Sequence, residues 1–345
     1  MTKDTTDNIE INSFIDLLHL ETKNHGKILF ETKNQVAQFP GMSKLEDYKY
    51  NDPETYVRIA QHYGKPIEGA QKGGWKEPIF CLMPEEVNII DQRRTYSGED
   101  VKVNVGWVTS VDIQQLRKIG KPLPSLAYDV IMVGKEKDKF VICRRGGKNP
   151  LDPFRIKNFG TSFWGPTPAE TATYFLNKNI NDLLSREANR ALQEEVNPNW
   201  EHSNFQFVGM YRPGNHKNIS KIALGPAGYE TVSFIQVDAS TEEIAELMSE
   251  NSRIYKGAFD QAEIQGKENP HKYGEEALLN AGRAKDAWEH YDPKIMELNP
   301  DKMEKFVKEG IEHTLKYGQE GMCLVGAGVI YSAAEWIRKN DELPF

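Results

Sequence analysis

The chain has 345 residues, 39% apolar and 27% charged, enough for about two domains of ordinary size and at least one packed core, so a disordered chain is excluded. Its 43 Lys and Arg against 51 Asp and Glu leave a net charge of -8, which argues against nucleic acid or a membrane surface as partner. Cys81, Cys143 and Cys323 are scattered with no C-x-x-C pair; this disfavours a disulfide framework, and a cytoplasmic setting is expected because the first twenty residues do not read as a secretory signal.

In chain order, residues 1–120 form an N-terminal extension whose fold the pattern does not assign. They hold an amphipathic opening (Ile11, Phe14, Ile15, Leu17, Leu18), a Pro- and Gly-rich stretch over 64–78, and short apolar runs around Phe80 and 101–108. Residues 121–255 carry sharper signals. The run 126–133 and the run 140–143, separated by a charged turn, predict a β-hairpin, and 205–211 and 229–237 predict two further strands. Ser240-Thr241-Glu242-Glu243 writes a capping box for a helix to about residue 250. Residues 256–345 are expected to be helical, with periodic apolar positions over 277–288, 303–315 and 325–337. The apolar run 321–337 is too short to cross a hydrocarbon layer of about 30 Å, and Gly326-Ala327-Gly328 within it predicts close helix packing.

Between 179 and 196, Ile180, Leu183, Leu184, Ala188, Ala191 and Leu192 recur at three- and four-residue steps and define one face of an α-helix. Glu195 falls within about 20° of Leu184, near the centre of that apolar stripe, with Glu187 and Glu194 at its edge. A carboxylate there needs a partner, and a divalent cation is one candidate. The alternative is an ordinary helix end, with its acids solvated or paired to Arg190 or Arg186 one turn away.

The segment Ala188-Asn189-Arg190-Ala191-Leu192-Gln193-Glu194-Glu195-Val196, downstream of a hairpin ending Cys143-Arg144-Arg145 and of a Gly-Thr-Ser-Phe-Trp-Gly loop, resembles the signature of the Nudix hydrolases, G-x5-E-x7-R-E-U-x-E-E-x-G-U. Arg190, Leu192, Glu194 and Glu195 fall on matching positions, and Glu170-Thr171 resembles the family's Gly-Glu-Ser/Thr opening of the box. Ala191 stands where the family has a metal-binding Glu, Asn197 replaces the closing glycine, and Glu170 lies about twelve residues too far upstream. Glu187, four residues before Ala191, is on the side of the helix from which it could supply the missing carboxylate.

The resemblance covers about residues 125–240 and implies an α+β fold: a Nudix-like α/β/α sandwich with a mixed central sheet, here with the N-terminal extension and a helical C-terminal region added. It implies Mg2+ (or Mn2+) held by Glu187, Glu194 and Glu195, with Glu194, Glu195 and Arg190 catalytic, and hydrolysis of a nucleoside diphosphate linked to another group. Arg144, Arg145, Arg155 and Arg212 are the expected phosphate cations and Trp164 a stacking surface for a nucleotide-like substrate. Because Ala191 removes a ligand, the alternative is a catalytically silent Nudix-like domain that binds a nucleotide or a partner.

Overall fold

The computed structural model of the chain describes residues 10–20, 28–31, 78–82, 100–109, 125–146, 155–163, 165, 178–213, 228–317 and 321–345. Its elements in chain order are β1 (Ile15–Leu20), β2 (Ile28–Glu31), β3 (Pro78–Leu82), β4 (Val101–Thr109), β5 (Leu126–Val133), β6 (Lys139–Arg145), β7 (Ile156–Lys157), β8 (Phe159–Phe163), β9 (Lys178–Asn179), α1 (Ile180–Glu195), β10 (His202–Pro213), β11 (Tyr229–Val237), α2 (Thr241–Ile264), α3 (Pro270–Asn280), β12 (His290–Glu297), α4 (Pro300–Tyr317) and α5 (Leu324–Asn340).

The central sheet has the order β1-β10-β11-β5-β6-β12 and is mixed, because β11 runs parallel to β5 while its other neighbours pair antiparallel. A smaller sheet, β3-β4-β2-β9, is hydrogen-bonded separately but shares the core of the first, Ile28, Phe80, Leu82, Val103 and Val105 packing with Leu126, Tyr128 and the apolar face of α1. All eight residues of β5 are buried, as expected for a strand covered on both faces. Leu126, Tyr128, Val130 and Met132 pack on one face with Leu183, Leu184, Ala188, Ala191 and Leu192 of α1 and with Ile244 and Met248 of α2. Ile131 and Val133 pack on the other with Met303, Val307 and Ile311 of α4 and with the apolar residues of α5. The result is a helix–sheet–helix sandwich of the α+β class.

The expected hairpin, the two further strands and the Ser240–Glu243 capping box are all present, and the strands at 126–145 and 205–237 share one sheet. A strand appears where the sequence predicts helix. Instead of continuing over 277–288, α3 stops at Asn280, Gly282 takes a left-handed φ of 69°, and a 3-10 turn at Ala287–Glu289 leads into β12. Pro293, a bulge near Asp292 (φ 48°) and burial confined to His290 remove the period-2 alternation that marks a strand. The amphipathic opening likewise divides into a 3-10 turn, Ile11–Ser13, and edge strand β1, while α2 runs on past residue 250 to Ile264. Strands from the first and last regions thus edge the same sheet as the middle one.

Helix α5 lies close to the sheet. A Cβ on Gly328 would sit 2.1 Å from the Tyr211 ring, and one on Gly326 2.8 Å from the Ile156 carbonyl, so only glycine allows this approach. Among the described residues, no helix is long and apolar enough to cross a membrane.

Candidate functional site

The site lies where the sheet opens. Strands β5 and β6 pair only beside their turn, at Met132↔Val141 and Val133↔Phe140, and then diverge. The short strands β7 and β8 fill the gap, β7 pairing with β6 (Cys143↔Lys157) and β8 with β5 (Ala127↔Phe163). The Asn158 side-chain amide donates to the Val130 carbonyl at 3.2 Å and ties the insert to β5. Cross-strand partners share a face, so Lys157 and Cys143 look toward α1.

Helix α1 is capped by Asn179, whose side chain accepts from the Asn181 N–H at 3.1 Å. It ends without the usual glycine. The N–H groups of Val196 and Asn197 both reach the Leu192 carbonyl, and Asn251 of α2 donates to the Val196 carbonyl at 3.1 Å, so the final turn is closed by a tertiary contact. Ala191, 0% exposed, packs beneath β8, 3.4 Å from the position a Cβ on Gly160 would take.

The three acids of α1 sit in different surroundings. Glu187 is buried and accepts from Arg186 at 3.1 Å and Arg190 at 2.9 Å. Glu194 is half exposed and meets Arg190 at 3.2 Å. Glu195 has a side chain only 12% exposed, pairs with His290 Nε2 at 2.5 Å, and accepts from the Gly160 N–H at 3.3 Å. Burial pushes the Glu195 carboxyl up, but the hydrogen bond and charge of His290, then Lys157 and the Gly160 N–H, outweigh it and hold the group below its ordinary value. Since an ionised carboxylate only accepts, His290 must carry its proton on Nε2. The buried Tyr128 hydroxyl is within the field of Arg190 and all three acids; burial first, then the acids against Arg190, keep it un-ionised.

On its other side, His290 Nδ1 lies 3.2 Å from Cys143 Sγ. Burial raises that thiol to about 12, so it keeps its proton near neutrality and can donate to the ring. Lys157 is 1% exposed, its ammonium has no hydrogen-bond partner among the described residues, and it acts electrostatically on Glu195, Cys143 and Glu289. Burial and then the repulsion of Glu195 raise the Glu289 carboxyl. Local pattern does not reveal this cluster. His290 follows Glu195 by 95 residues on an edge strand, and Cys143 and Lys157 resemble ordinary strand and loop residues.

The expected phosphate cations are partly engaged. Arg144 meets Asp292 at 3.3 Å, Arg155 is buried with its carbonyl accepting from the Arg145 N–H, and Arg212 lies 5.1 Å over the Tyr229 ring. Arg145 Nε has no hydrogen-bond partner among the described residues. The register places the Arg144–Arg145 end of β6 and the Arg212 end of β10 at the same end of the sheet, level with the start of β5. Tyr211 is buried beneath α5, its hydroxyl 3.1 Å from Asp129 Oδ2 and 2.9 Å from the Val325 carbonyl. Trp164 lies outside the described residues, as do Glu170 and Thr171.

This donor set does not fit a magnesium ion as arranged. Each candidate carboxylate already faces a donor of the protein, and among the described residues no group of three or more His, Cys, Asp or Glu is arranged to hold a metal. An ion at Glu195 would have to displace His290 and lie beside the Lys157 ammonium.

No family model matches the sequence, and no curated protein matches it. Solved structures similar to the chain include a putative Nudix hydrolase, Tm1382, at 11% identity over 47% of this chain and 78% of that one, with a TM-score of 0.28. The pyrophosphohydrolase BsRppH of Bacillus subtilis, in a mutant form, matches at 12% identity over 32% of this chain and 49% of its own, with a TM-score of 0.19. DR0079 from Deinococcus radiodurans matches at 10% identity over 33% of this chain and 57% of its own, with a TM-score of 0.21. The chain thus spans less than two thirds of the last two, and identities and TM-scores at this level do not establish a family or an activity.

Proposed function

We propose that this chain is a divergent Nudix-like domain that binds a phosphate-bearing, nucleotide-like ligand without hydrolysing it. One observation carries the reading: the carboxylates that hydrolysis would need for metal are consumed internally, Glu187 by Arg186 and Arg190, and Glu195 by His290. Ala191, fully buried beneath β8, leaves no room for the remaining ligand of the resembled signature. A phosphate-bearing ligand is supported by Arg145 and Arg212, which end strands β6 and β10 at the same end of the sheet.

The second reading, a Mg2+-dependent hydrolase of a nucleoside diphosphate linked to another group, is favoured by Arg190 spanning Glu187 and Glu194 beside Tyr128. Calorimetric titration with nucleotide sugars, dinucleotides and nucleoside triphosphates, with product analysis in Mg2+, separates the two. The binding reading expects saturable heat and no product. Metal-dependent release of phosphate or nucleoside monophosphate would overturn it.

A further inference from the structure

We infer that the base of the nucleotide-like ligand stacks on Trp288 and Tyr255, where α2 meets the turn into β12, with its phosphates at the Arg145 end of β6. This rests on the non-hydrolytic binding reading and deepens it by naming what holds the base. Trp288 lies in the 3-10 turn that leads into β12, and its ring stacks on Tyr255 of α2 with centroids 5.8 Å and planes 26° apart. Tyr255 in turn stacks on Phe259, one helical turn on, at 5.9 Å and 25°, so three rings form a ladder. His271 of α3 fixes the ladder from the side: its ring meets Trp288 edge-on at 4.6 Å, and its Nδ1 lies 2.6 Å from the Tyr255 hydroxyl. Leu278, Ala284 and Ala287 form an apolar floor, yet Trp288, Tyr255 and Phe259 are only half-buried, so the ladder is held without being sealed. An aromatic surface that is already ordered loses little freedom when a flat ligand lands on it.

The ladder stands beside a cation. The Gly146 N–H donates to the Glu289 carbonyl at 2.8 Å. A Cβ on Gly146 would meet the Trp288 carbonyl at 2.7 Å and the indole at 3.3 Å, so only glycine lets the end of β6 come this close to the ring. Arg145, the preceding residue, pairs with His290 across the strands and shares with Cys143 the face that packs toward α1 and α2. Its Nε has no hydrogen-bond partner among the described residues. Only Gly146 therefore separates a half-open aromatic surface from a guanidinium, an arrangement that matches a base joined to phosphate through a sugar.

The test titrates the full chain in a calorimeter with ATP and with tripolyphosphate, which carries the same phosphates without a base. The wild type should bind ATP about tenfold or more tighter than tripolyphosphate, the gain from stacking one base. Trp288→Leu should remove that difference and leave the affinity for tripolyphosphate unchanged, whereas Trp288→Phe, which keeps an aromatic face, should retain most of it. A second measurement does not depend on the leucine variant folding: ATP, and not tripolyphosphate, should quench tryptophan emission in the wild type, and the quenching should be lost in Trp288→Phe. Equal wild-type affinities for the two ligands, a difference that survives in Trp288→Leu, a loss there shared by both ligands, or quenching that persists in Trp288→Phe overturns the stacking inference and leaves the phosphate-binding reading standing. If the wild type binds neither ligand, the binding reading fails and this inference with it.

Discussion

His290→Ala removes the donor that makes Glu195 tolerable inside the sandwich. The carboxylate, 12% exposed, would lose a 2.5 Å contact and keep the longer one to Gly160 at 3.3 Å, with Lys157 nearby but not hydrogen-bonded. Breaking a buried charged pair from one side costs about 3 to 5 kcal/mol, a large share of the roughly 5 to 15 kcal/mol that stabilises a typical domain. The pH dependence has a definite sign. In the wild type the Glu195 carboxyl is held below its ordinary value, so its contribution is present above the ordinary carboxylate range and is lost as pH falls through the depressed value. Without His290 the upward push of burial is opposed less, protonation becomes easier, and the penalty shrinks on acidification. Urea unfolding of both proteins at pH 7 and pH 5 should therefore show a gap of about 4 kcal/mol that narrows at the lower pH. A gap below about 0.5 kcal/mol, or one equal at both pH values, would refute the buried pair.

Ala191→Glu should cost at least about 3 kcal/mol in chelator and in Mg2+ alike, because residue 191 is sealed beneath β8; a metal-dependent recovery of the melting temperature would contradict this. Glu194→Gln should change unfolding free energy by less than about 1 kcal/mol, since its pair with Arg190 is half exposed, whereas Glu187→Gln, buried between two arginines, should cost about 2 kcal/mol or more; equal effects would show that the two environments have been misassigned. Gly328→Ala should lose about 2 kcal/mol or more by driving a methyl group into the Tyr211 ring, and a neutral effect in thermal melts would show that α5 is not held so close.

Much of the middle of the fold was legible because its signals are local. The continuous apolar run of β5, the hairpin turn, the capping box at Ser240 and the 3.6-residue stripe of α1 each need only a few neighbouring residues to be recognised. The placement of Glu195 near the centre of that stripe anticipated its burial, and the internal pairing of acids with Arg190 was visible from their spacing. The partners of Glu195 were not visible. His290 enters on an edge strand whose proline and bulge erase the strand pattern, and Lys157 arrives on a two-residue strand wedged into a split that no local period encodes. The resemblance pointed to metal ligands at Glu187, Glu194 and Glu195, where Arg186 and Arg190 of the same helix meet the first two and His290 meets the third.

The central claim, that the acids of α1 are compensated from within, is tested most directly by titrating Mn2+ into the wild-type chain in a calorimeter. The account predicts no saturable heat at millimolar metal and none in Glu195→Gln. A binding isotherm in the wild type that disappears in Glu195→Gln would contradict it.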